Sequence, residues 1–188
     1  MALVSTPVPD VGKPCPSFNL PATNGKNFSS GEIQMSSPFM VMFVCNHCPY
    51  VQAIEDRLIK LGEDFAKAGI PLIAISSNDA AHYPADSFEK MKERAEAKKY
   101  TFPYLYDESQ DVAREFGAVC TPDFFGYDKD HKLAYRGRLD DSWKEAGAVT
   151  ARELFETMLY LKSGTSEKGK HFLTHQTPSM GCSLKWKK

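Results

Sequence analysis

The sequence has almost no net charge and no long apolar run. Its 23 Lys and Arg residues nearly balance 24 Asp and Glu residues, which leaves a formal net charge of −1. A chain so close to neutrality lacks the charge excess that favours nucleic acid or an anionic membrane as a partner. No apolar stretch approaches the roughly 20 residues that span a bilayer. We therefore expect neither a nucleic acid nor a membrane among its partners.

Cysteines are few and odd in number. The five in the chain fit poorly with a framework of structural disulfides, and the opening residues lack the basic start and apolar core of a secretory signal. These absences predict a cytoplasmic location, where thiols are mostly free or are oxidised only during turnover. The sequence also contains no internal repeat, glycine-rich phosphate loop or nucleotide fingerprint, so we expect no cofactor.

What the chain does contain is a pattern typical of an α/β domain. Its 188 residues, 42% of them hydrophobic, predict a single domain over residues 1–188, with a core at about 10–162 and a C-terminal tail at 163–188. The apolar runs at 39–45 and 70–76 are typical of buried strands, and the residues between them have helical periodicity. This order predicts a strand–helix–strand unit with parallel strands and a right-handed crossover.

Turn and cap residues predict the remaining elements. Asn24 and Gly25 mark the tip of a hairpin near the N-terminus. Ser109 is the predicted N-cap of a short helix, and Thr150 is the predicted N-cap of the final helix. From Ser163 onward the sequence is polar and typical of a tail.

The segment Cys45-Asn46-His47-Cys48-Pro49 follows the first buried strand directly. Pro49 suits the first turn of a helix, where its missing N–H is not needed. A helix N-terminus lowers the pKa of a thiol, and a second thiol nearby can close a disulfide. The segment therefore predicts redox chemistry by a CxxC pair. A structural metal site, or a loop that holds two cysteines by chance, is the alternative.

Several segments of the chain resemble one family of thiol proteins. A cysteine pair at the start of the first long helix, followed later by Thr-Pro and a hairpin, resembles the thioredoxin fold. Residues 45–51, 77–79, 120–125 and 179–186 more narrowly resemble a peroxiredoxin-like group in the alkyl-hydroperoxide-reductase/thiol-specific-antioxidant branch. The resemblance spans roughly residues 10–186.

This resemblance implies a thioredoxin-like three-layer α/β fold, in which helices flank a central mixed sheet and an N-terminal hairpin and a C-terminal tail are added. It implies a thiol–disulfide oxidoreductase, with a protein or small-molecule thiol or disulfide as substrate. A thioredoxin- or glutathione-type electron donor would then restore the reduced enzyme. A weak peroxiredoxin-like antioxidant activity is the second expectation.

Two assignments of the cysteine pair remain open. In the first, Cys45 attacks and Cys48 resolves, as in a thioredoxin-type CxxC. In the second, the spacing from Phe43 resembles that of thioredoxins and places Cys48 in the attacking position, with Val51 where the second cysteine would be. Because Pro49 makes Cys48 the residue before the helix, the second assignment gives Cys48 the lower thiol pKa.

Other residues are candidates for supporting roles at this pair. His47 would favour a thiolate as an imidazolium, although a solvent-facing loop histidine is equally compatible with the sequence. Thr121-Pro122 resembles the cis-proline loop that faces the cysteine pair in thioredoxins and presents the backbone of Thr121 to an extended substrate. Cys120 would lie near the pair, either reactive or simply buried.

Two cysteines lie outside these motifs. Cys182 is a candidate resolving cysteine or a surface thiol, in a tail motif that Trp186 could dock over the site. Cys15, between two prolines, is expected to be incidental.

Peroxide reduction and metal binding are the competing functions. A typical peroxiredoxin has a Thr and a distant Arg that hold the thiolate and polarise the peroxide. Met42 occupies the Thr position here and has no hydroxyl donor, and no Arg occurs between Arg114 and Arg136. We therefore expect slow peroxidase activity at best. Soft ligands for Cu(I) or Zn are the third possibility; the candidates are Cys45, Cys48, Cys120, His47, His82 and Cys182.

Overall fold

A computed structural model describes residues 3–34 and 36–188 of the chain. Its strands are β1 Leu3–Ser5, β2 Asn19–Pro21, β3 Asn27–Ser29, β4 Phe39–Phe43, β5 Leu72–Ser76, β6 Tyr104–Tyr106, β7 Cys120–Thr121, β8 Asp123–Tyr127, β9 Leu133–Tyr135 and β10 Met180–Ser183. Its helices are α1 Pro49–Ala68, α2 Phe88–Ala97, α3 Asp111–Phe116, α4 Glu153–Ser163 and α5 Glu167–Thr174. No helix in the described part of the chain is long and apolar enough to cross a membrane.

Five strands form a central mixed sheet in the order β6-β5-β4-β8-β9. The pairs β4–β5 and β5–β6 are parallel, whereas β4–β8 and β8–β9 are antiparallel. Every residue of β4 is buried, as its continuous apolar sequence predicts for a central strand. The predicted strand–helix–strand unit is therefore present as β4–α1–β5, and it places the loop 44–48 at the carboxyl end of the central strand.

Two apolar cores cover the faces of this sheet. One contains the buried faces of α1, α4 and part of α2, and the other contains α3 and the N-terminal hairpin β2–β3. The apolar residues of α1 that recur at helical spacing, including Val51 and Leu58, are buried. The thioredoxin-like three-layer α/β fold with a central mixed sheet is thus confirmed.

Two predicted helix caps are wrong. Helix α3 has Gln110, not Ser109, as its N-cap, with the backbone in the left-handed region at φ 70°. The buried Gln110 amide donates to the carbonyl groups of Ser77 and Lys185 at 2.6 and 2.8 Å, and these long-range bonds hold the backbone at this position. The Ser109 hydroxyl still accepts the N–H of Asp111 at 3.2 Å.

Helix α4 likewise begins later than its predicted cap. Its N-cap is Arg152 rather than Thr150. The backbone N–H groups of Thr150 and Ala151 donate to the Asp141 carboxylate at 2.8 and 3.0 Å. These bonds tie the segment to the preceding loop and delay the first helical turn.

The segment after Ser163 is ordered structure rather than a polar tail. Ser166 caps helix α5 by accepting the N–H of Gly169 at 3.0 Å, and this helix packs closely against α4 at Gly169. Strand β10 then pairs with β1 on one side and with β7 on the other, in a second, three-stranded antiparallel sheet. The prediction of a tail is wrong because these contacts join residues far apart in sequence.

Candidate functional site

The cysteine pair lies where β4 passes into α1. Cys45 is in the loop after β4, and Cys48 is the N-cap of α1, with Pro49 in the first turn. The free N–H groups and the dipole of a helix N-terminus favour negative charge at this position. The helix start that the sequence predicts thus falls at Pro49, and it brings the Cys48 thiol to the end of the helix axis.

The loop opposite the pair is formed by β7 and Pro122. The Thr121–Pro122 peptide bond is cis. The Cys48 Sγ lies 3.1 Å from the Thr121 carbonyl oxygen, to which its thiol form donates, and the Cys45 Sγ lies 3.4 Å from the Thr121 hydroxyl. Thr121 therefore contacts both sulfur atoms, one through its backbone and one through its side chain.

The pKa values of the Cys45 and Cys48 thiols are shifted in opposite directions. A hydrogen bond from Cys45 to the Cys48 sulfur is the main cause that lowers the pKa of Cys48 to about 5, and the N–H groups of Cys182 and Val51 lower it further. The same hydrogen bond, together with burial and the negative charge of Asp86, raises the pKa of Cys45 well above its ordinary value. These shifts favour the proton on Cys45 and the negative charge on Cys48.

His47 lies on the side of Cys45. Its Nδ1 is 2.5 Å from the Asp86 carboxylate and 3.9 Å from the Cys45 Sγ, and its ring stacks on Tyr83 with centroids 5.0 Å apart. The Asp86 carboxylate also accepts the backbone N–H groups of Asn46 and His47 at 2.8 and 3.1 Å. The His47 side chain is therefore held by a buried carboxylate next to the thiol of higher pKa.

Asp86 is a site residue that the sequence does not reveal. Its side chain is fully buried and also accepts the Asn78 amide at 2.8 Å. The polar run from Ser76 to Asp79 directly after a buried strand is the signal that could have located the partners of the cysteine loop. Nothing in the local sequence indicates that Asp86 itself reaches the loop.

The other two buried cysteines lie on paired strands beside Cys48. Cys182 in β10 is opposite Thr121, and Cys120 in β7 is opposite Ser183. Burial is the main cause that raises the pKa of Cys182 to about 11, and a hydrogen bond to Cys48 raises it further. Burial also raises the pKa of Cys120 well above its ordinary value. The alternative of a surface thiol at Cys182 is wrong, because only 3% of the residue is exposed.

An apolar groove opens next to Pro122. The rings of Tyr50 and Trp143 form part of its wall, with centroids 5.0 Å apart, and Met180 lines it beside β10. Half of the Trp143 surface is exposed. Exposed aromatic and thioether surface of this kind is suited to contact apolar side chains.

The sulfur atoms themselves are covered. Cys48 has no exposed surface, and Cys45 is only 2% exposed. Of the predicted supporting residues, the structure brings His47, Pro49, Thr121, Pro122 and Cys182 to the pair. Cys120 precedes Thr121 in β7, and its thiol donates to the Pro122 carbonyl at 3.5 Å.

One group of candidate metal ligands lies at this site. Cys45, His47 and Asp86 each offer a ligand atom, and these three atoms lie within 4.8 Å of one another. His82, a candidate from the sequence, is instead paired with Asp79 on the surface. A thiolate, an imidazole and a carboxylate form a donor set that zinc accepts, although in this arrangement His47 already engages the Asp86 carboxylate.

Neither Met42 nor Arg136 supplies the hydroxyl or the guanidinium expected at a peroxiredoxin thiol. Met42 is fully buried in the sheet, and it supplies no hydroxyl to either cysteine. Arg136 pairs with the buried Asp123 at 2.9 Å and lies over the Phe125 ring, rather than against a sulfur atom.

Comparison with known proteins identifies relatives of this chain. A model of the AhpC/TSA family matches residues 11–136, and no curated protein matches the chain. A crystal structure of an uncharacterized conserved protein from Geobacillus kaustophilus is 41% identical, with a TM-score of 0.90, over 100% of this chain and 97% of that one. A hypothetical protein from Sinorhizobium meliloti is 38% identical, with a TM-score of 0.87, over 97% of both chains.

A more distant solved structure shares the fold. The crystal structure of a peroxidoxin from Mycobacterium tuberculosis is 18% identical, with a TM-score of 0.58, over 80% of this chain and 94% of that one. The family model spans the cysteine loop, the Thr121–Pro122 loop and every strand of the central sheet. This chain belongs to the AhpC/TSA family.

Proposed function

We propose that this chain is a thiol–disulfide oxidoreductase in which Cys48 is the nucleophile and Cys45 is the second thiol of the pair. The observation that carries the proposal is the place of the two thiols: Cys48 is the N-cap of a 20-residue helix, and the Cys48 and Cys45 sulfur atoms lie 3.1 and 3.4 Å from the same residue, Thr121. The nucleophile in thiol–disulfide exchange is the thiolate, and a helix N-terminus with an added donor stabilises it. Membership of a family that includes thiol enzymes is consistent with this role.

The reaction follows from these two thiols. The Cys48 thiolate attacks a substrate disulfide, so that a mixed disulfide forms and the first substrate thiol leaves as a thiolate. Cys45, after losing its proton, then attacks the Cys48 sulfur, which closes the Cys45–Cys48 disulfide and releases the second thiol. A stabilised Cys48 thiolate makes this disulfide more oxidising. An external dithiol, or two molecules of a monothiol, returns the enzyme to its reduced form.

The substrate and donor classes belong to the same proposal. The groove beside Pro122 is apolar and partly aromatic, which favours a protein or small-molecule disulfide with apolar surface. A thioredoxin- or glutathione-type thiol is the proposed electron donor, and a reducing cytoplasm is the proposed location.

Peroxide reduction is the second candidate, and membership of the AhpC/TSA family is the observation that favours it. The site opposes it, because removal of a positioned electrostatic donor typically costs about 10²–10³ in rate, Met42 occupies the expected Thr position, and Arg136 pairs with Asp123 rather than with a cysteine. We expect a second-order rate constant with hydrogen peroxide far below that of a dedicated peroxidase. A rate constant equal to that of such an enzyme, measured by stopped flow, would favour the peroxidase instead.

Disulfide mapping tests the proposal. The protein is reduced, exposed briefly to a disulfide oxidant and analysed by mass spectrometry, with metal content measured on the same sample. We expect oxidation at Cys48 that a thioredoxin or glutathione system reverses. We also expect Cys48→Ser to reduce the turnover of a model disulfide to the uncatalysed rate, while Cys15→Ser retains it. Thiols that react only after a chelator removes a bound metal would instead indicate a metal site.

A further inference from the structure

Strand β10 occupies the edge of β7 that an extended substrate would use. Cys182 is paired with Thr121 and Ser183 with Cys120, in antiparallel register. A peptide that adds to a sheet edge binds in this way, through main-chain hydrogen bonds with alternating side chains in pockets. The chain thus places its own cysteine-containing strand against the loop that faces Cys48.

The fit of this strand depends on Gly181. A Cβ atom at this position would lie 2.6 Å from the carbonyl carbon of Thr121 and 3.1 Å from the Pro122 ring. Contacts below about 3 Å with backbone atoms cannot be relieved by a side-chain rotation, so only glycine allows this approach. Its φ is not in the left-handed region, which leaves the close contact as the reason for glycine.

Both ends of the strand are anchored. Before it, the Ser179 hydroxyl donates to the Pro122 carbonyl at 2.9 Å, and its N–H donates to the Thr6 hydroxyl at 3.0 Å. After it, the Lys185 N–H donates to the Asn78 side chain at 2.9 Å. The Trp186 ring packs under the Arg114 guanidinium. These contacts set the position of Cys182 along the edge of β7.

Cys182 lies near Cys48 in this position. It is paired with Thr121, whose carbonyl oxygen lies 3.1 Å from the Cys48 Sγ, and both cysteines belong to the same buried cluster. Cys45 approaches Thr121 as well, at the hydroxyl of that residue, so Cys48 has two cysteines beside it. Because Cys48 has no exposed surface, an external disulfide reaches it only after part of its surroundings moves, and β10 is part of those surroundings.

We propose that Cys182 is a third redox-active thiol, which resolves a mixed disulfide at Cys48 when β10 returns to the edge of β7. This inference rests on the proposed function of Cys48. After attack on glutathione disulfide, Cys48 carries one glutathione and the other has left as a thiolate. Cys182 loses its proton and attacks the Cys48 sulfur, the bond to glutathione breaks, and the second glutathione leaves. The net reaction converts one glutathione disulfide and two protein thiols into a Cys48–Cys182 disulfide and two glutathione molecules.

The test uses full-length protein without the competing thiol. Reduced Cys45→Ser and Cys45→Ser/Cys182→Ser proteins are treated with glutathione disulfide and followed by intact mass and peptide mapping. We expect the single variant to pass through a Cys48 adduct and end with a Cys48–Cys182 disulfide. The double variant should retain glutathione on Cys48. A matched control, Cys15→Ser/Cys45→Ser, should behave like the single variant.

Two results would contradict the inference, and they are distinguishable. If the Cys45→Ser protein keeps its glutathione adduct while Cys182 stays a free thiol, Cys182 is not a resolving residue, although the reactivity of Cys48 stands. If Cys48 gains neither glutathione nor a disulfide in any variant, the proposed function fails together with this inference.

Gly181→Ala tests the position of the strand without removing a thiol. In the Cys45→Ser background, we expect it to slow release of glutathione from Cys48 by about 10²-fold, as misplacement of a reacting group by about 1 Å can do. Gly147→Ala is the matched control, because a Cβ there meets nothing within 4 Å. Circular dichroism establishes that both variants are folded. Equal rates of release in the two variants would overturn the proposed role of β10.

Discussion

At the scale of single residues, the pKa values of the two thiols of the pair are shifted in opposite directions. The hydrogen bond between Cys45 and Cys48 lowers the pKa of Cys48 to about 5 and raises that of Cys45. Asp86 adds to the difference, because its carboxylate lies on the side of Cys45. A thiol of lowered pKa beside a thiol of raised pKa suits the proposed first step of disulfide exchange.

Removal of the donor on Cys45 should raise the pKa of Cys48. We expect Cys45→Ala to titrate Cys48 at a higher pH than the wild type, because the thiolate loses its main hydrogen bond. Cys45→Ser is the matched control, since its hydroxyl still donates and should keep the pKa low. The measurement is the ultraviolet absorbance of the thiolate across pH in reduced protein. Equal titration midpoints in the wild type and the alanine variant would contradict this account.

At the scale of elements, a buried ion pair holds the loop that faces the cysteines. Arg136, directly after β9, donates to both carboxylate oxygens of Asp123 in β8, at 3.2 and 2.9 Å, and to the Gly117 carbonyl at 2.8 Å. Asp123 in turn accepts the Val119 N–H at 3.2 Å. These bonds join both ends of the segment that contains Thr121 and Pro122.

Loss of this guanidinium should destabilise the fold. We expect Arg136→Met to lower the free energy of unfolding by about 3–5 kcal/mol, because it leaves a fully buried carboxylate without its partner. Urea denaturation at neutral pH measures the change. Lys90→Met is the control, since its pair with Glu93 is exposed and such pairs contribute about 0–1 kcal/mol. Equal decreases in the free energy of unfolding in the two variants would contradict a larger contribution from the buried pair.

At the scale of the whole molecule, the second sheet joins both ends of the chain to the site. Strand β10 lies between β1 and β7, so the first and last strands of the chain meet beside the Thr121–Pro122 loop. The backbone of Cys182 in β10 is one of the groups that lower the pKa of Cys48. The stability of the reduced protein is therefore linked to ionisation of the Cys48 thiol.

This linkage predicts a dependence of stability on pH. The pKa of Cys48 falls from about 9 in the unfolded chain to about 5 in the folded protein. Its contribution is complete above pH 9 and is lost as the pH falls toward 5. The difference in unfolding free energy between the wild type and Cys48→Ser should therefore rise with pH over this range, by at most about 1.4 kcal/mol per pH unit.

Urea unfolding of both proteins under reducing conditions, at several pH values, measures this difference. Cys15→Ser serves as the control: burial raises the pKa of Cys15 to about 12, so its thiol stays neutral between pH 5 and 8 in both states. We expect its difference from the wild type to be constant there. A difference for Cys48→Ser that is flat or falls with rising pH would contradict a stabilised thiolate.

The sequence by itself determined the features that depend on local pattern. The continuous apolar run at β4, the helical spacing of α1 and the proline after Cys48 indicate a buried strand followed directly by a helix start, because strand and helix periodicity are properties of neighbouring residues. The Asn24-Gly25 turn of the hairpin follows from the same kind of information. The family resemblance of the cysteine and Thr-Pro segments added the three-layer fold.

Only the tertiary structure decided which distant groups meet at the cysteine pair. Gln110 and Arg152 replace the predicted caps because long-range hydrogen bonds hold the preceding backbone, and Asp86 reaches the cysteine loop from a segment with no pattern of its own. Cys182 reaches Cys48 because a glycine lets one strand approach the edge of another. Pairing between strand edges depends on the shape and free hydrogen-bonding groups of both partners, and neither is encoded in the sequence of one segment alone.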